Sequence, residues 1–164
     1  MIPVKVIGIG SPFGDDRLGW EVIDQLRQYP LLKNLDSTLW QACTCDRPGL
    51  QLLSTIQGAA TVFLIDAIYS LQRTSGDVWH ANADYIAQQS TDPGDSFSSH
   101  GLGVFQAVEL GRVLELLPPS LKIYGIVTHS LDKFSTQLSA EVKQAVPSLV
   151  TLLAEAIHQE IFQI

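Results

Sequence analysis

Three short stretches of this 164-residue chain carry side chains able to do chemistry: Asp15-Asp16, Asp66 and His100. Carboxylates offer oxygen ligands or a general base, and a neutral imidazole adds a borderline nitrogen ligand. Two carboxylates and one imidazole, Asp16, Asp66 and His100, suit nickel, zinc or a similar divalent ion. Three protein ligands leave coordination positions open, which marks a working site rather than a structural one. Each residue also has a plainer reading. Asp66 can be a turn residue or cap, and His100 an ordinary exposed loop histidine. Asp15 can occupy a helix N-cap and accept the N–H of Arg17 or Leu18, leaving Asp16 at the first helical position as the working carboxylate.

The elements that must position these groups alternate between strand and helix. A β-branched run, Val4 to Ile9, ends in the turn Gly10-Ser11-Pro12-Phe13-Gly14, and Leu18, Val22, Ile23 and Leu26 recur at helical spacing, so a helix is expected from Asp16 to Gln28. The turn is not a dinucleotide fingerprint: a phenylalanine stands where the third glycine belongs, and two carboxylates occupy the place of a pyrophosphate. Ser37–Cys43 reads as a second strand and Pro48–Ile56 as a short helix closed at Gly58. Ala60–Ile68 is a continuous apolar run broken first by Asp66, the pattern of a central parallel strand. Gly76–Ala81 reads as an antiparallel edge strand, and polar residues 83–99 as a loop. Val104 to Leu117 carries a helical stripe, Leu121–Val127 a strand, and Ser139, a plausible N-cap, opens a long helix to Ile161. A parallel sheet of these strands brings Asp16, Asp66 and His100 to one edge, where α/β sites gather. His129, after the last strand, is the reserve histidine.

Composition sets bounds on the function. At 46% hydrophobic and 16% charged, residues 1–164 fit a single domain with a substantial core. A net charge of −7 and a pI near 4.8 argue against nucleic acid and against an anionic membrane surface. The longest apolar runs are far too short to span a bilayer, and the opening residues run straight into a strand, so a cytoplasmic protein is expected. Cys43-Thr44-Cys45 lacks the four-ligand spacing of a zinc site and reads as reduced, partly buried thiols at the end of a strand.

Three blocks, Gly8-Ile9-Gly10 through Asp15-Asp16 to Gly19, Leu64-Ile65-Asp66-Ala67-Ile68, and Ser99-His100-Gly101-Leu102, give the chain a resemblance to the hydrogenase maturation proteases. These endopeptidases trim the C-terminal tail of the large subunit of nickel–iron hydrogenases. The resemblance implies a three-layer α/β/α sandwich with a mostly parallel twisted sheet. It also implies that Asp16, Asp66 and His100 serve as catalytic and metal-contacting residues. The nickel is then supplied by the substrate, a nickel-loaded large-subunit precursor, and no tightly bound metal of the protein's own is expected. A monomer is expected. The competing reading is a non-catalytic nickel-sensing escort or assembly chaperone for the same subunit.

Overall fold

The computed structural model describes residues 1–89, 96–97, 103–130 and 132–162. Four strands run parallel: β1 (Ile2–Gly10), β2 (Trp40–Asp46), β3 (Ala59–Tyr69) and β6 (Ser120–Thr128). β4 (Val78–Asn82) lies antiparallel on the outer side of β6, and the sheet order is β2-β1-β3-β6-β4. A two-residue strand, β5 (Ser96–Phe97), pairs antiparallel with Ile68 and Tyr69 of β3. Because β6 occupies the other side of β3 at those residues, β5 extends the sheet beyond the end of β1.

Strand alternation sorts the apolar residues into two cores, one on each face of the sheet. Val4 and Val6 of β1 with Phe63, Ile65 and Ala67 of β3 pack against α1 (Leu18–Gln28) and α5 (Ala140–Phe162). Ile7, Ile9, Val62, Leu64 and Ile68 pack on the opposite face against α2 (Leu52–Thr55), α3 (Ala83–Gln89) and α4 (Val104–Val113). This is the expected α/β/α sandwich, with the antiparallel edge strand where the sequence put it.

Five local expectations are corrected. The first α-helix begins at Leu18; Gly14–Arg17, with Asp16, form a 3₁₀ turn before it. Asp15 caps no helix of its own, because its buried carboxylate is taken by Thr128 and Ser139 across the molecule. The second strand runs Trp40–Asp46, three residues later than Ser37–Cys43, with Leu39 and Asp36 closing the turn before it. Residues 83–89, read as loop, form α3, since Asn82 Oδ1 accepts the Tyr85 N–H at 2.8 Å as an N-cap and Ile86 is fully buried. Residues 90–95 and 98–99 of that loop lie outside the described residues. The helix expected to reach Leu117 stops at Val113: Glu115 turns at φ +56°, and Leu117 packs back against Gly111.

What seats α1 on the sheet is close backbone contact. A Cβ on Gly8 would stand 2.2 Å from Gly19 O, and one on Gly19 would stand 2.3 Å from Ile9 O and 2.7 Å from Ile65 O. The opposing atoms are main chain and cannot swing aside. Gly19→Ala is therefore expected to cost at least about 2 kcal/mol by denaturant unfolding, because helix and sheet must separate. Asp15→Ala strands the Thr128 and Ser139 hydroxyls and the Ser139 N–H, and is expected to cost about 2–3 kcal/mol in the same measurement.

Candidate active site

The strand order contains one reversal that matters for ligands. From β1 the chain crosses to β2 on one side, and from β2 it returns to β3 on the other side of β1. The carboxyl ends of β1 and β3 thus flank the topological switch point, where loops diverge to opposite faces and leave a crevice. Of the acidic residues singled out in the sequence, Asp16 lies in the 3₁₀ turn after β1 and Asp66 in β3 itself.

Asp16 follows β1 directly. The turn from Ser11 to Asp16 closes on itself: Ser11 N donates to Asp16 O at 3.1 Å, and Ser11 Oγ lies 3.4 Å from Asp16 Oδ2. Gly10 permits this closure, since a Cβ there would stand 1.8 Å from Asp16 O. Asp16 is half-buried, in contrast to its neighbour. Asp15 points the other way, with Oδ1 accepting Ser139 N–H at 2.6 Å and Oδ2 accepting Ser139 Oγ–H at 2.8 Å and the Thr128 hydroxyl. The two adjacent carboxylates differ in setting: Asp15 is buried and fastens the turn, whereas Asp16 is half-buried beside Ser11.

Asp66 is the first residue of β3 past its last paired row with β1, Gly8 opposite Ile65. It is wholly buried, and its Oδ1 accepts the Ala67 N–H at 2.8 Å. Alternation puts it on the face of Leu64 and Ile68, which α4 covers. Burying a carboxylate within an otherwise apolar strand opposes stability unless hydrogen bonds or a cation compensate it. His100 lies outside the described residues, between β5 and Gly103, the N-cap of α4.

The other histidines are committed elsewhere. His129 is exposed and its Nε2 is 2.7 Å from Arg73 O, His80 stacks on Tyr124 with ring centroids 5.5 Å apart, and His158 lies 4.5 Å from the Phe162 ring within α5. Among the described residues no three His, Cys, Asp or Glu side chains form a metal-binding group, and His100 is not among those residues.

Sequence reasoning missed two features of this edge. Thr128, rather than His129 beside it, is the residue of β6 that reaches the β1–α1 turn; a hydroxyl closing an apolar strand was its available signal. The second is an apolar rim. Phe134 is 95% exposed and Phe13 42%, and their loops are tied together by Gly14 N donating to Ser135 O at 2.6 Å. Gly14 reaches that bond at φ +52°, a backbone region open to glycine at little cost.

The family model for hydrogenase maturation protease matches residues 46–156, about two thirds of the chain, a span that contains Asp66 and His100 and begins after Asp16. No curated protein sequence matches. Among solved structures, the NiFe hydrogenase maturation protease HybD from Thermococcus kodakarensis superposes with a TM-score of 0.73 at 22% identity, covering 96% of this chain and 99% of that one. The hydrogenase maturating endopeptidase HybD from E. coli gives 0.75 at 18% identity, covering 97% and 93%. The maturation protease HycI from T. kodakarensis gives 0.63 at 20% identity, covering 94% and 91%. At such identities these likenesses bear on the fold, whereas the match to the family model bears on descent: the chain belongs to the hydrogenase maturation protease family.

Proposed function

We propose that this peptidase removes the C-terminal extension of a nickel–iron hydrogenase large-subunit precursor after nickel insertion, acting as a cytoplasmic monomer. Asp16, Asp66 and His100 recognise the nickel, which arrives bound to the precursor as part of the substrate. The observation that carries this reading is that Asp16 and Asp66 issue from the two strands flanking the switch point.

The chemistry follows from the residue types. Two carboxylates and one imidazole make too few ligands to close a coordination sphere, so the protein holds a divalent ion weakly until the precursor's own ligands complete it. This makes cleavage conditional on loaded nickel without a resident metal. Hydrolysis then needs a polarised scissile carbonyl and a base for the attacking water. The substrate's nickel can serve the first need, and a carboxylate within reach of that water can serve the second. The exposed Phe13 and Phe134 provide apolar contact for the precursor around this edge.

The test mixes the protein with nickel-loaded and nickel-free precursor and follows the tail by mass. Cleavage is expected only with nickel, and Asp16→Asn, Asp66→Asn and His100→Ala are each expected to lower it on the order of 100-fold or more while the fold persists. Nickel-dependent binding with an intact tail would instead establish the escort reading. Phe134→Ala is expected to leave thermal stability unchanged, since the ring is almost fully exposed, and to raise KM for the precursor with kcat little altered.

A further inference from the structure

A cavity of about 530 Å³ wraps the outer edge of β2, with Lys5, Gln41, Cys43 and Thr55 on one face of the sheet and Arg27 on the other, and Lys33 at its rim. It is cationic in a chain whose net charge is −7. The cations are anchored: Lys5 Nζ donates to Thr55 O at 2.8 Å and Gln57 O at 2.7 Å, and Arg27 donates to the outward-facing Ala42 O at 2.9 Å. Asp24, 3.7 Å from Arg27, pairs with that guanidinium and is itself largely exposed.

Cys43 and Cys45 are free and half-buried, and stand two residues apart on β2, facing the same way. Their thiols are driven in opposite directions. The hydrogen bond from Cys45 brings Cys43 down to about 7, and the charges of Lys5 and Arg27 add to this against the upward push of burial. Cys45 is raised by that same bond and by burial. Of the two, Cys43 is the thiol favoured as thiolate, with Cys45 as its donor.

We propose that Cys43 is a thiol-modification site that takes up anionic low-molecular-weight disulfides through the cationic cavity. The thiolate sulfur attacks one sulfur of the disulfide RS–SR. A bond forms between Cys43 Sγ and that sulfur, the RS–SR bond breaks, and its electron pair leaves on RS⁻. Cys43 is oxidised and the departing thiol reduced, so no further oxidant is required. Two alternatives fit the surroundings less well. A metal cation is repelled by Lys5 and Arg27. An internal Cys43–Cys45 disulfide joins residues about 6.6 Å apart at Cα whose Cβ vectors run parallel rather than converging.

The test exposes the full-length protein to oxidised glutathione, which is anionic, and to cystamine, which is cationic, and locates the adduct by peptide mass. At pH 7 the gain in thiolate, offset by weaker nucleophilicity, predicts glutathionylation of Cys43 about fivefold faster than of an ordinary cysteine in the denatured chain. The rate should rise through pH 7 and then level, and oxidised glutathione should react faster than cystamine. Arg27→Gln should erase much of that preference, and Cys43→Ser should remove the fast phase. An adduct on Cys45, equal rates for the two disulfides, or a folded-state rate no greater than the denatured one overturns the proposal.

Discussion

The buried carboxylate of Asp15 joins three parts of the chain that lie far apart in sequence. It leaves the turn after β1, accepts the hydroxyl at the end of β6, and receives both the N–H and the hydroxyl of Ser139 before α5. Charge-assisted bonds in a site shielded from water are strong, and their loss leaves several donors unsatisfied at once. The position of the crevice depends on this clasp, because the turn it fastens is the one that carries Asp16. Gly8 and Gly19 work on the same problem from the other side, letting α1 lie against β1 at backbone distance so that the turn is short and has little freedom.

With the turn fastened, the sheet's topology does the remaining positioning. The reversal between β1 and β3 opens the edge at their carboxyl ends, and the two strands deliver Asp16 and Asp66 to its two sides. The environments of these carboxylates differ. Asp66 is enclosed within the sheet, whereas Asp16 is half-exposed on a short turn. An enclosed group keeps its orientation, and a half-exposed one can adjust to an arriving substrate.

Local charge departs from net charge in this protein. The acidic total argues against nucleic acid as a partner, yet Lys5, Arg27 and Lys33 gather at one edge of the sheet beside a thiol. The grouping is produced by pairing: β1 brings Lys5 beside β2, and α1 packs so that Arg27 reaches the free edge at Ala42.

By itself the sequence determined the elements whose signal is local. The apolar runs of β1, β3 and β6 and the helical stripes of α1 and α5 are legible because burial on one or both faces imposes a period. The pattern also separated Asp66 from its strand, since a charge in a continuous apolar run is conspicuous. Where contacts are distant in sequence, local reading failed for physical reasons. Asp15 looked like a helix cap because its true partners are 113 and 124 residues away. α3 looked like a loop because its composition is polar, and the Asn82 cap and the burial of Ile86 that mark it as a helix are tertiary and single-residue features with no period to read. The stripe that seemed to extend α4 to Leu117 reported burial correctly but not helix, since Leu117 reaches the core after the chain has turned at Glu115. Tertiary structure alone decided what fastens Asp15: the sequence already set it apart from Asp16 as the structural carboxylate, but the donors that hold it come from the far end of the chain, where no local signal reaches.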